Sequence, residues 1–485
     1  MQNVKQILIY TRPWEVDFHL ALAADLQAKL PGIPVVFATF FETARVIAVK
    51  AGYEVVYLPQ RLLKARDQVV PAERLREIDD SLRETTGAGL NLMLHAERFR
   101  PTQAAECERF FHSHVAVLDA LVVPGTISIS SMYDHFVYWL AGGLANSRGG
   151  WHFAFVGCGM PAGRTIALRT PWETWRVPLD EQESRCIWEA AQRSLEVPMN
   201  SRIDYMKPVR ARHDWAWACA RLQEIREREI DYRSGSYFQP RIYLTQWISD
   251  VISQRMANAW ACTKNRLFDI RRDGDIGKLS QKYFYVPLHM EPEASIFMYS
   301  PWLHNQIEMC RLIAQSLPVG CLLVAKENPK MLATRAVEFY NILRAIPNVR
   351  LAHPDVDSLA LIKASIGVVT LAGTAAVEAA ALGRPSLTLA SPPFRRCLNA
   401  GNLLGVDGLA GLPALLREWC DEGRPALDSA GWRRWVEGTF VANVVPRFSG
   451  GRITVAINEN VEISSSYIMQ AIHVYEQERA DANGS

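Results

Sequence analysis

The chain reads as an α/β protein with two doubly wound parallel sheets and helical insertions. Three observations predict this. At 485 residues it is too long for one ordinary core, so two domains of roughly 200 residues or more are expected. Short aliphatic and β-branched runs alternate with helical apolar spacing near the N-terminus, the pattern of a right-handed parallel sheet. Residues 368–389, VVTLAGTAAVEAAALGRPSLTL, compress strand, tight turn, helix, breaker and strand into one βαβ unit.

Taken in order, residues 6–10 (QILIY) form a buried strand that ends at Thr11-Arg12-Pro13-Trp14. Helical spacing covers 17–30 and 43–51, with strands at 34–38 and 54–58 and Gly52 as the stop between them. Ligands of such a sheet collect at the carboxyl ends of its strands, which singles out Thr11, Arg12, Trp14 and residues 40–43. An arginine just past a first strand suits an anionic acceptor; a plain surface arginine is the competing reading.

Residues 62–111 are charged and helical, a solvated or acceptor-facing insertion. A further strand is expected at 115–123, then a turn at Pro124-Gly125-Thr126, then a helix from 136 to 144. Asp134 stands at that strand-to-helix junction, facing the cleft between domains, with His135 beside it. It is the carboxylate expected to do chemistry, with Asp17 and Glu42 as competitors. Ser131-x-x-Asp134 is equally a capping-box pattern, which makes a structural role the alternative. Residues 153–156 read as another strand, followed by Gly157, Gly159 and Gly163. Pro161 argues against a phosphate loop there, so an irregular loop that approaches an acceptor sugar is expected. Cys158 shows no partner that would make it a nucleophile. The tryptophans at 172, 175, 188, 215 and 217 suit sugar faces, although large core residues are the commoner explanation. A linker is expected around 235–280.

In the second half a strand at 282–288 delivers His289 to its carboxyl end, where it can donate to a phosphate or leaving-group oxygen. An amphipathic helix covers 306–317. The strand at 321–325 ends in Lys326-Glu327-Asn328-Pro329, and a short strand and a helix follow at 348–351 and 356–364. The turn after Thr370 brings backbone N–H groups of Gly373 and Thr374 and a positive helix end to one point, which suits a phosphate. Glu378, on that helix, either satisfies those amides or holds the vicinal hydroxyls of a ribose. Arg395 and Arg396 follow in a proline-rigid loop that suits an anionic acceptor or lipid head groups. The last helix spans 458–479, with a frayed tail at 481–485.

A net charge of +2 argues against a nucleic-acid binder built on a global positive field. Nine cysteines without a C-x-x-C pair read as a reduced, cytoplasmic protein without a zinc site. The N-terminal apolar run is too short for a signal peptide, and no run approaches the roughly 18 apolar residues of a membrane span. The protein is therefore expected to be neither exported nor membrane-spanning.

Three elements carry a resemblance. GTAAVEAAALGRP resembles the G-T-x-x-x-E-A-x-x-x-G-x-P element of nucleotide-sugar-dependent glycosyltransferases with two Rossmann-like domains, the GT-B architecture. YFYVPLHMEPEAS, residues 283–295, is similar to the Pro-Leu-His-x-x-Pro-Glu element of bacterial capsule and surface-polysaccharide biosynthesis proteins, among them enzymes that transfer Kdo and related acidic sugars from CMP donors. LLVAKENP, residues 322–329, matches an element that usually reads Lys-Glu-His-Pro. The similarity covers roughly residues 280–390 and is weak elsewhere.

The resemblance implies an acceptor-side domain over 1–240, a nucleotide-sugar domain over 241–465 and a terminal helix and tail over 466–485, the helix crossing back to the first domain. It implies a catalytic role for His289, beside Asp134, which its strand-to-helix position singles out as base or as nucleophile. Glu293, Lys326, Asn328, Thr370, Gly373, Thr374 and Glu378 would hold the donor, and Arg12 and His135 the acceptor. Asn328 stands where relatives carry histidine; it can donate a hydrogen bond but cannot carry charge. The partners implied are a nucleotide-sugar donor and a glycan or lipid-linked acceptor, with peripheral inner-membrane association and no nucleic acid. Neither a cofactor nor a metal is expected. The competing functions are a polyol-phosphate transferase or sugar epimerase on the same architecture, and a non-catalytic polysaccharide-assembly protein.

Overall fold

Two sheets organise the chain, the first mixed and the second parallel. The computed structural model describes residues 3–97, 100–101, 103–131, 133, 135–158, 164–175, 177, 180–195, 222, 226, 264–291, 293–332, 335–394, 406–421, 448–449, 452–453 and 457–484. The first sheet holds β1 (Gln6–Tyr10), β2 (Val35–Thr39), β3 (Glu54–Tyr57), β4 (Thr126–Ser130), β5 (Trp151–Cys158), β6 (Arg164–Thr170) and β7 (Glu173–Thr174). Their spatial order is β3-β2-β1-β4-β5-β6-β7. The first five are parallel, and β6 and β7 return antiparallel. The order reverses direction between β1 and β4, so the crevice of this sheet opens beyond Tyr10 and Ser130.

Period-two alternation sorts β1 and β2 between two cores. Leu8, Tyr10, Val36 and Ala38 join one cluster, and Ile7, Ile9, Val35 and Phe37 join the other. Burial on both faces explains why these strands read as continuous apolar runs. The first cluster takes in Tyr133 and Tyr138 of this lobe together with Met298, Tyr299 and Phe394 of the second.

The second sheet holds β8 (Tyr283–Pro287), β9 (Leu322–Lys326), β10 (Val349–Ala352), β11 (Val368–Thr370) and β12 (Ser386–Thr388), in the order β10-β9-β8-β11-β12. All the pairings among these strands are parallel. This repeats the winding of β1 to β5, with the reversal between β8 and β11. The α/β class with two Rossmann-like sheets and helical insertions is therefore observed.

One expected strand is not. Residues 115–123 belong largely to the helix Ala104–Leu121. Val115, Leu118 and Val122 recur at helical spacing and are buried together, so β-branched content misleads where period decides. The strand is instead Thr126–Ser130, TISIS, where hydroxyl residues alternate with isoleucines. All five are buried, and their hydroxyls find partners: Thr126 Oγ1 donates to the Val123 carbonyl (2.7 Å) and Ser128 Oγ lies 2.9 Å from His152 Nδ1. The strands β6 and β7 were not expected either. Among the aromatics, Trp175 is core: its ring stacks on Phe153 at 4.8 Å and its Nε1 donates to the His152 carbonyl. Trp172 is half-buried, edge-on to Trp139. Trp215 and Trp217, the side chain of Trp188, and most of the expected linker lie outside the described residues.

The terminal helix, Ile457–Gly484, returns to the first lobe. Val461, Tyr467, Ile468, Ala471 and Ile472 join the cluster of Ile7 and Ile9. Tyr467 OH donates to the Trp175 carbonyl (3.0 Å), and Arg169 Nη2 donates to Tyr475 OH (2.6 Å). The helix opens within one residue of the expected 458. It also runs through 481–484, expected as frayed, because no glycine or proline interrupts it before Gly484. Among the described residues, no helix is long and apolar enough to cross a membrane.

Candidate functional site

The reversal of the second sheet brings the ends of β8 and β11 together, and the expected residues meet there. His289, buried, places Nε2 3.1 Å from Thr370 Oγ1. Thr370 Oγ1 also accepts the Gly373 N–H at 3.1 Å. A Cβ on Gly373 would lie 2.8 Å from Thr370 Oγ1 and 3.3 Å from His289 Cε1, so only glycine permits this approach. Glu293 Oε2 stands 3.6 Å from His289 Nδ1, an electrostatic contact rather than a short hydrogen bond. Thr374 is the residue before the helix Ala375–Ala381, and the N–H groups of Val377 and Glu378 bond back to its carbonyl. The Gly373 amide is turned onto the Thr370 hydroxyl, which closes the turn.

Lys326, at the end of the neighbouring β9, is not a solvated strand-end lysine. It is 6% exposed, and Nζ donates to Ser358 Oγ at 2.8 Å. Burial pushes its pKa down to about 8, against the pull of Asp357, Glu378, Asp355 and Asp273. Glu378 is 2% exposed and so faces the protein interior, within electrostatic reach of that ammonium. Tyr285 OH approaches the same Ser358 hydroxyl at 3.4 Å.

Behind His289 lies a polar network that local sequence reasoning missed. Gln306 brackets the His289 backbone: Oε1 accepts its N–H (2.6 Å) and Nε2 donates to its carbonyl (3.2 Å). Arg335 Nη2 donates to the same carbonyl at 2.7 Å, while Nη1 reaches Glu291 Oε2 at 2.6 Å. Arg335 Nε is 2.8 Å from Glu327 Oε2, which also accepts from Tyr340 OH at 2.8 Å. Glu327 is thus a buried structural carboxylate, and burial raises its pKa against the pull of Arg335. Asn328 is used locally, its Oδ1 accepting the Lys330 N–H at 3.0 Å. A polar residue opening the helix Gln306–Ser316 was the one signal for Gln306; nothing local marks Arg335.

Two Asp-x-Asp pairs, Asp273/Asp275 and Asp355/Asp357, are committed to local structure. Asp357 Oδ2 accepts the Ala360 N–H (3.2 Å), and Asp273 Oδ1 accepts the Asp357 N–H (2.7 Å). Asp275 Oδ1 binds Lys278 Nζ at 2.7 Å, and Asp355 Oδ2 lies 3.5 Å from His353 Nδ1.

At the reversal of the first sheet, Arg12 and His135 gather around one ring. The Arg12 guanidinium carbon is 5.2 Å from the centre of Tyr138, and the His135 ring centre is 5.8 Å from it. Asp134, expected as catalytic, lies outside the described residues, as do Arg395, Arg396, Gly159 and Gly163. The helix Phe136–Ser147 begins after His135, and Glu97 Oε2 accepts the Phe136 N–H at 2.8 Å, so the cap comes from another segment. Of the competing carboxylates, Asp17 is exposed and Glu42 pairs with Arg45.

No protein-family model and no curated protein sequence matches this chain. Among solved structures it is similar to a KpsC β-Kdo 2,7-transferase from Thermosulfurimonas dismutans, at 10% identity over 89% of this chain and 98% of that one, with a TM-score of 0.32. It is also similar to the Anabaena HepE protein in complex with UDP-glucose, at 9% identity over 98% and 99% of the two chains and a TM-score of 0.28. A third is the UDP-GlcNAc 2-epimerase of Neisseria meningitidis bound to UDP-GlcNAc, at 12% identity over 96% and 100% and a TM-score of 0.22. Likeness at this level carries no weight for what this chain does.

Proposed function

We propose that the protein is a glycosyltransferase that moves a sugar from a nucleotide donor held by its second lobe to a glycan acceptor at its first. The observation that carries this reading is the convergence at the strand ends of the second sheet. His289 and Thr370 meet at 3.1 Å, and the end of the neighbouring β9 supplies a buried lysine, Lys326, with the buried carboxylate of Glu378 within its electrostatic reach. Crevices at such reversals are where doubly wound sheets take nucleotides.

A leaving phosphate gains negative charge as its bond to the sugar breaks, and groups aimed at that charge lower the barrier. His289 supplies a hydrogen bond and Lys326 a positive charge whose proton is loosely held. Glu378 and Glu293 position the ribose or the base. The Pro-Leu-His-x-x-Pro-Glu resemblance favours a CMP-activated keto-sugar acid such as Kdo, and the place of action would be the cytoplasmic face of the inner membrane during surface-polysaccharide synthesis. Calorimetry with CMP, CDP, UDP and GDP tests the reading. Binding of CMP ahead of the others, with release of CMP from CMP-Kdo, supports it. Preference for CDP with transfer of phosphate selects a polyol-phosphate transferase, and preference for UDP without sugar transfer selects an epimerase. Binding without turnover selects an assembly protein.

A further inference from the structure

The nine cysteines are scattered along the sequence, but the fold brings two of them into contact. Cys321 Sγ lies 3.4 Å from Cys420 Sγ, although the two residues are 99 positions apart, and both are free thiols. Cys321 is buried just ahead of β9, and half-buried Cys420 stands in the last turn of the helix Leu412–Asp421. A buried cysteine ordinarily serves as a small apolar side chain. Two sulfurs held against each other add a chemistry that alanine or serine in those places would lack.

Packing sets that approach. Leu412, Leu416 and Trp419 recur at helical spacing and are buried in the core of the second sheet, so the helix cannot turn Cys420 away without exposing them. The Trp419 ring stacks on Phe284 of β8 at 6.3 Å, and Lys282 Nζ donates to the Cys420 carbonyl at 3.3 Å. Lys282 precedes β8 and Cys321 precedes β9, which puts the pair at the amino edge of the second sheet. The His289 crevice lies at the opposite, carboxyl edge.

We propose that Cys321 and Cys420 are a redox modification site, closing to an intrachain disulfide that ties the helix Leu412–Asp421 to the start of β9. A disulfide places its sulfurs about 2.05 Å apart, so the pair has to close by about 1.4 Å, within the reach of side-chain rotation. The oxidant is a low-molecular-weight disulfide such as oxidised glutathione. The Cys420 thiolate attacks one of its sulfurs, a mixed disulfide forms, and one glutathione thiolate leaves with the electron pair of the broken bond. Cys321 then gives its proton to solvent and attacks the Cys420 sulfur, and the second glutathione thiolate leaves. Two cysteine thiols are oxidised and one glutathione disulfide is reduced to two thiols. Burial and the bond to Cys321 push the Cys420 thiol up to about 12 against the pull of Lys282, so thiolate is scarce at neutral pH and exchange quickens as pH rises. The bridge closes a loop that contains Lys326, Thr370 and Glu378, and it forms whether or not the chain transfers sugar.

The full chain, first reduced and then held folded with oxidised glutathione at about pH 8.5, tests this. Tryptic mapping without reduction should find the Cys321 and Cys420 peptides joined. The urea midpoint should rise by about 1 M over that of the reduced protein, because a loop of this length constrains the unfolded chain. Dithiothreitol should reverse both effects, and C420S and C321A, each made separately, should show neither. Two thiols still open to alkylation after that exposure overturn the proposal. So does Cys420 held as a stable glutathione adduct or joined to a different cysteine. A joined pair whose midpoint does not exceed that of the reduced protein overturns the stabilising tie.

Discussion

Replacing Lys326 with methionine should stabilise the protein while weakening its grip on nucleotide. The lysine is 6% exposed, and burial lowers its pKa from the ordinary 10.5 to about 8. Between those values the unfolded chain holds a proton that the folded chain does not, so stability rises with pH across that window. Below about 8 both states are protonated and the folded state carries the full penalty. The difference of about 2.5, at about 1.36 kcal/mol per pH unit, comes to about 3 kcal/mol. Methionine fills nearly the same volume without a charge. Taking the lysine donor from the Ser358 hydroxyl takes back about 1 kcal/mol. K326M should therefore be about 2 kcal/mol more stable near pH 7, with the gain shrinking to nothing as pH approaches 10. Urea unfolding of both proteins, followed by far-ultraviolet circular dichroism at several pH values, measures this. A variant less stable near pH 7, or a gap that does not change with pH, refutes the reasoning.

On the proposed reading His289→Ala takes away a hydrogen-bond donor for the donor phosphate, so CMP affinity should fall by about ten- to a hundredfold in calorimetry. Gly373→Ala places a methyl group 2.8 Å from Thr370 Oγ1 and should cost about 1–3 kcal/mol in urea unfolding, with CMP binding lost alongside. Ile468→Ala opens a cavity where the terminal helix meets the first lobe, since Ile468 is fully buried there. It should cost about 2–5 kcal/mol and leave the CMP Kd unchanged.

Strands flanked by helices on both faces were legible because burial on both sides leaves an apolar run, as in QILIY and in the 368–389 unit. The strand Thr126–Ser130 was not, because its hydroxyls are satisfied by partners such as His152 that no local window contains. The helix over 115–121 was misjudged because valine content outweighed period. In the candidate site, His289, Thr370 and Gly373 could be placed because motif and strand end coincide. Gln306, Arg335 and Glu97 could not. Each acts on a residue far along the chain, and only the folded topology brings a glutamate at 97 to a histidine at 135.

The most direct measurement is a crystal structure of the full chain grown with CMP. The nucleotide should lie across the ends of β8 and β11, its phosphate within hydrogen-bond reach of His289 and its charge near Lys326, with Glu378 turned toward the ribose. A CMP molecule seated on another surface, or a crevice between His289 and Thr374 filled by the protein's own atoms with CMP in the medium, would contradict the account.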